Sequence, residues 1–285
     1  MQLQRPVSQV TPLVFDPIEL SKAAEKAVCR ARGGVVERKY TGFHVVGVYQ
    51  GISTGYVCGC NLRCFFCWSH PCRDQPERYG GYHSPESAFR VIERLAARSG
   101  VRRARLSGGE PTLCWRHLTK LIELADESRE LDLFILETNG ILLGFRPELA
   151  EDLACFRKLV VRVSIKAGTP EGFSWKTGAA GWAFELPFKA IERLLSLGVR
   201  VYPAAVLDPR VTWGEDRREV FRRLGELGHE LILDLEDESI DPYPNALRRM
   251  RRAGVELEWA DEKVEVRYLS KLGDLVGCSD LSSDP

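Results

Sequence analysis

The feature that most constrains this chain is a rhythm: from residue 84 to about residue 252, short apolar runs alternate with stretches of helical period. SPESAFRVIERLAARSG (84–100) sets Phe89, Ile92, Leu95 and Ala96 on one stripe, with Ser84 as cap, Pro85 in the first turn and Gly100 as stop. VRRARLS (101–107) predicts a strand, and WRHLTKLIELADES a helix with Leu118, Leu121, Ile122 and Ala125 on one face. Strands follow at LDLFILE (131–137), KLVVRVSIK (158–166), VRVYPAAVL and ELILDLE (230–236). Helices follow near Pro147 and at FELPFKAIERLLSLG, EDRREVFRRLGELG and PNALRRMRRAG. A leading helix is expected over ELSKAAEKAVCRA, ended by Gly33-Gly34, and the extended stretch GFHVVGVYQGISTGYV follows it.

About six such units predict an α/β chain with a parallel sheet and right-handed crossovers, as a doubly wound open sheet or a complete or partial barrel. In both, chemistry gathers where strands end and loops begin. With 285 residues and no linker-like segment, one domain accounts for the chain. A formal net charge of zero argues against a nucleic-acid partner, and no apolar run approaches the ~20 residues that span a bilayer. The opening MQLQRPVSQVTP has no secretory pattern, so a cytoplasmic, membrane-free protein is expected. Nine cysteines, five of them between 58 and 72, read as metal or iron–sulfur ligation in a reducing compartment.

The strand ends carry GYVCGCNLRCFFCWSH (55–70), LSGGEPTL (106–113), ETNG (137–140), SIKAGTP (164–170) and LEDESIDP (235–242). Cys60, Cys64 and Cys67 supply three thiolates where a four-iron cluster normally takes four, which leaves one iron open to a small ligand. Gly108 and Gly109 let backbone approach a ligand closely, and Glu110 offers a carboxylate to a ligand amine. With Cys58 added, the same loop makes a four-thiolate zinc site of an interaction module. Cys58, Cys72 and Cys114 are candidates either for an auxiliary cluster or for buried packing, while Cys29, Cys155 and Cys278 read as packing or surface residues. The acidic run Glu236, Asp237, Glu238 and Asp241 reads as a solvated patch that repels polyanions at the site's mouth.

CNLRCFFC followed one unit later by SGGEP resembles the radical S-adenosylmethionine (SAM) superfamily, over roughly residues 43–240. The resemblance implies a partial (β/α)6 barrel, with residues 1–42 as an N-terminal helical extension and 241–285 as a C-terminal extension packed on the core. It implies a 4Fe-4S cluster on Cys60, Cys64 and Cys67, with the amine and carboxylate of SAM on the open iron. Gly108, Gly109 and Glu110 would then hold the amine, and Phe66 would meet the adenine. ETNG and SIK resemble motifs of the glycyl-radical activase and carboxydeazaguanine synthase branches, placing Asn139 and Ser164 near the ribose and Lys166 at the SAM carboxylate. Glu137 and Ser164 depart from the Asp that those motifs carry.

The implied activity is reductive cleavage of SAM to a 5′-deoxyadenosyl radical that takes hydrogen from a substrate. The electron would come from a donor such as a ferredoxin or flavodoxin. The substrate is then a small molecule, or a protein or peptide acted on by an activase. The Phe-Cys-Trp of CNLRCFFCW also resembles the wybutosine-synthesising tRNA enzymes. On this reading a side chain at Gly109 blocks SAM and spares the iron.

Overall fold

Gly33 and Gly34 both lie in the left-handed region, at φ +57° and +80°, the backbone that a two-residue hairpin loop demands. They therefore join two strands rather than end a helix. The helix expected up to Gly33 stops at Val28, and Cys29–Arg32 pairs antiparallel with the next strand. The computed structural model describes residues 14–255 apart from Ser239.

The strands are β1 (Cys29–Arg32), β2 (Val35–Val46), β3 (Ile52–Val57), β4 (Gly81–His83), β5 (Arg103–Gly108), β6 (Leu133–Thr138), β7 (Leu159–Ile165), β8 (Val201–Ala205) and β9 (Glu236–Asp237). They form one sheet in the order β1-β2-β3-β5-β6-β7-β8-β9, with β4 beside β2. From β3 to β9 every pairing is parallel, and the order never reverses. A doubly wound sheet needs a reversal to put helices on both faces. Sequential order keeps the crossover helices on one face, and the sheet curls into a partial (β/α)6 barrel. β2 spans residue 42, so the sheet continues across the boundary expected there.

The outer face of the sheet meets the helices Pro85–Arg98, Trp115–Glu127, Leu186–Ser196 and Gly214–Leu227. Ile92, Leu118, Leu121, Ile122, Ile191 and Leu194 are buried against it, each contributing roughly 1.5–3 kcal/mol. Strand alternation then decides the inner face. In β7, Val161, Val163 and Ile165 are buried in the core, while Arg162 and Ser164, with Lys166 just beyond, turn into the barrel.

ELILDLE departs from expectation. Glu230–Leu233 is a helical turn, and Glu236–Asp237 alone pairs, with Ala204 and Ala205. Leu231 is buried and Leu233 exposed, a short apolar run that alternation by itself does not assign to strand or helix.

His117 ties the helix Trp115–Glu127 to β2. Nδ1–H donates to the Val36 carbonyl at 3.1 Å, which leaves Nε2 to accept from the Tyr40 hydroxyl at 2.8 Å. Burial holds its pKa down to about 4. The folded protein resists a proton that the unfolded chain takes up near pH 6.5, so this stability is complete above pH 6.5 and is lost as pH falls toward about 4. Roughly 3 kcal/mol is expected to disappear across that window. Urea midpoints between pH 7 and 4 check it: His117→Asn should flatten this part of the profile, and an identical slope in the variant would refute the assignment.

Candidate active site

β3 ends at Val57, and Gly59 (φ +77°) turns the chain into the cysteine loop. Short bonds from distant segments hold that loop. Gly109 N–H donates to the Val57 carbonyl and Glu110 N–H to the Gly59 carbonyl, both at 2.8 Å. Arg63 and Phe65 N–H groups donate to the carbonyls of Thr177 and Lys176. Asn61, fully buried, donates to Ser21 Oγ at 3.0 Å and accepts from Asn139 Nδ2 at 2.7 Å.

Cys60, Cys64 and Cys67 line one cavity of about 770 Å³, together with Phe66, Gly108, Gly109, Glu110, Asn139, Ser164 and Lys166. The tertiary structure thus gathers the residues that the resemblance put forward for the cluster and SAM. Burial pushes the Cys60 thiol up to about 12 and the Cys64 thiol up to about 11, so a bound cation is needed to make them thiolates at neutral pH.

Glu110 is buried and already bonded. Oε1 accepts from Thr112 N at 3.1 Å and from the Thr112 and Thr138 hydroxyls at 2.7 Å; Oε2 accepts from Asn139 N at 2.8 Å. It locks the end of β5 to the end of β6. Asn139 ties the end of β6 to the cysteine loop, since its Oδ1 accepts from Ile141 N while Nδ2 reaches Asn61. Gly109 faces backbone: a Cβ there would stand 2.1 Å from the Gly59 carbonyl oxygen and 2.9 Å from that of Val57. The expectation that a side chain at 109 spares the iron is therefore corrected, because the clash falls on the cysteine loop itself.

The acidic run is corrected too. Glu236 accepts from Arg162 Nε and Nη2 at 3.0 and 2.8 Å, and Glu238 takes Lys166 Nζ on both oxygens at 2.8 and 2.9 Å. Arg105 pairs with Glu137 at 2.6 Å, and Arg162 also reaches Ser164 Oγ at 3.0 Å. Burial pulls the Lys166 pKa down, but Glu238 and Cys64 together outweigh it and the net shift is upward, so Lys166 stays cationic. Tyr49 seals the bottom of the network. Its hydroxyl lies 3.0 Å from Glu236 and accepts from Tyr202 at 3.2 Å, although Tyr49 and Gln50 are non-glycine residues at φ +53° and +61°.

The other cysteines do not complete this site. Cys58 turns away from the cavity to the Tyr79 carbonyl and the Cys72 thiol, so the four-thiolate zinc tetrahedron does not form. Cys114 lies against Cys29, with Cα atoms 5.9 Å apart, and not with Cys58 and Cys72; Cys29 packs against the core, as expected. Cys155 is exposed, and Cys278 lies outside the described residues.

The family profile described as the Radical SAM superfamily matches residues 56–224, more than half of the chain. The chain belongs to the radical SAM superfamily. It is 33% identical over 135 residues to the GTP 3′,8-cyclase of Syntrophomonas wolfei subsp. wolfei, covering 47% of this chain and 40% of that protein. It is 30% identical over 186 residues to a probable GTP 3′,8-cyclase of Aeropyrum pernix, covering 64% and 48%. The chain thus spans less than half the length of these curated relatives. Streptococcus suis SuiB, solved bound to S-adenosylmethionine, superposes with a TM-score of 0.50 at 18% identity, over 74% of this chain and 46% of that one, and shares the fold.

This radical SAM enzyme uses a 4Fe-4S cluster and SAM, as the family implies. The residues fit both groups: among the described residues three thiols and no fourth face the cavity, beside glycine backbone and a buried carboxylate. Among the described residues no helix is long and apolar enough to cross a membrane. Asn61, Arg105, Arg162 and Tyr49 were not singled out from the sequence. Arg162 had a signal, since period two in VVRVSIK sets it on one face with Ser164 and Lys166.

Proposed function

We propose that this enzyme acts on a phosphate-free, amine-bearing small molecule or peptide side chain. When bound, the cluster and SAM supply one electron and the 5′-deoxyadenosyl group that takes hydrogen from substrate. Glu110 Oε2 accepts one protein donor and keeps a lone pair for the SAM amine. Lys166 directs donors to Glu238 and has a third for the SAM carboxylate. Phe66 offers a buried ring to the adenine, and Asn139 and Ser164 stand toward the ribose. A small acidic redox protein, a ferredoxin or flavodoxin, is the electron source on this reading.

One observation carries the substrate class. Among the described residues each cation lining the cavity meets a carboxylate: Arg73 meets Asp74, which it shares with Arg63, Arg105 meets Glu137, Arg162 meets Glu236 and Lys166 meets Glu238. A triphosphate or an RNA backbone needs unpaired guanidinium forks. Asp241, meanwhile, faces the same cavity, with Trp68 and Tyr56 also in the lining, and suits an amine.

With dithionite and SAM, release of 5′-deoxyadenosine is expected to rise several-fold with lysine- or arginine-containing peptides or free amines, and not with GTP. Stimulation by GTP, with a cyclised nucleotide as product, would replace this reading with that of the curated relatives. Neither outcome touches the family assignment.

A further inference from the structure

Each of the three cluster cysteines offers its main-chain carbonyl to a different arginine. Arg63 Nη1 donates to the Cys60 carbonyl at 2.7 Å, and to that of Leu62 at 3.0 Å. Arg73 Nη1 donates to the Cys64 carbonyl at 2.7 Å. Arg249 donates through Nε to the Phe65 carbonyl at 2.9 Å and through Nη2 to the Cys67 carbonyl. The three come from separate places: the loop itself, the short helix His70–Asp74, and the helix Pro244–Arg252 far along the chain. Asp74 pairs with Arg63 at 3.1 Å and with Arg73 at 2.7 Å, so among the described residues these ion pairs set one carboxylate against the three guanidiniums.

We propose that Arg63, Arg73 and Arg249 form a cationic cradle that positions the three ligating cysteines and raises the reduction potential of the cluster they hold. The physical reason is electrostatic. Adding one electron makes the cluster one unit more negative, and fixed positive charge in a half-buried setting favours that reduced state. Arg73 is nearly fully buried, with its side chain 4% exposed, so solvent screens it little. The guanidinium forks also hold the cysteine main chain in place before any iron arrives, which limits the loop's freedom to collapse into thiol–thiol contacts.

The test is potentiometric and needs no substrate. Anaerobically reconstituted Arg73→Gln and Arg249→Gln are expected to carry about four irons and to show a lower midpoint potential by EPR-monitored titration. A drop of about tenfold in the reduced-to-oxidised ratio at fixed potential, or 59 mV for a one-electron couple, is the expected size. Arg249→Lys keeps the charge and is expected to stay near the parent potential. An iron-replete Arg249→Gln with the parent's potential would overturn the proposal. Where a glutamine variant loses its iron, Arg249→Lys decides: a full cluster at the parent potential supports a role for charge, and equal loss in the lysine variant refutes it.

Discussion

Cys64→Ala is expected to leave a folded protein that carries no complete cluster and releases no 5′-deoxyadenosine from SAM under dithionite. Cys64 is buried on the cavity wall between Cys60 and Cys67 in sequence; on the proposed ligation each thiolate would hold one iron, and among the described residues no other thiol lines the cavity to replace it. Cys58, the nearest spare thiol in sequence, points to Cys72 and the Tyr79 carbonyl. The substitution removes one small side chain at the cavity surface, so circular dichroism should be unchanged. Iron and acid-labile sulfide should fall from about four per chain toward zero, with SAM cleavage lost in parallel. Cys155→Ala, at an exposed position, serves as the comparison and should match the parent in both assays. Parent protein with a full cluster that makes no deoxyadenosine under any reductant would overturn the catalytic reading and leave the fold standing.

Gly109→Ala should lose cluster and SAM together. Its new Cβ meets three backbone atoms of the cysteine loop, at 2.1, 2.9 and 3.0 Å, and none of them belongs to a side chain that swings aside. Relief requires the loop and the end of β5 to part, which breaks the bonds from Gly109 N to Val57 O and from Glu110 N to Gly59 O. Overpacking of this kind, with two hydrogen bonds, costs about 3 kcal/mol. For a chain of this size that is a fall of roughly 6–12 °C in Tm. Gly81→Ala is the control, since its Cβ would meet nothing closer than His83 Nε2 at 3.8 Å. Retention of all iron in Gly109→Ala, with SAM affinity alone reduced, would restore the simpler view that this glycine serves the ligand.

The sequence carried much of the site because the deciding features are local. Cys60, Cys64 and Cys67 sit within one loop, and although their spacing alone leaves zinc open, SGGEP one unit later completes the pattern that resembles the family. Gly108, Gly109 and Glu110 follow at the next strand end, where any parallel barrel gathers its chemistry. The helices were legible from one-sided apolar stripes such as Leu118, Leu121, Ile122 and Ala125, all of which are buried. Where two structures share a local pattern, the reading failed. The apolar run at 230–236 suits a strand or a helical turn, and Gly33-Gly34 serves a helix stop or a hairpin equally well.

What no window of sequence contained is which charge meets which. Glu236 and Glu238 read as a solvated acidic run until the parallel pairing of β8 with β9 set them opposite Arg162 and Lys166, some seventy residues earlier. Glu110 read as a ligand carboxylate; Thr112, two residues on, supplies two of its donors, and only the meeting of β5 with β6 supplied the other two, from Thr138 and Asn139. Arg249 lies 182 residues from the Cys67 carbonyl that it holds. Periodicity and ligand spacing follow from contacts a few residues apart, so the chain states them directly. Ion pairing depends on register and on where the sheet curls, and these are settled by the burial of the whole core.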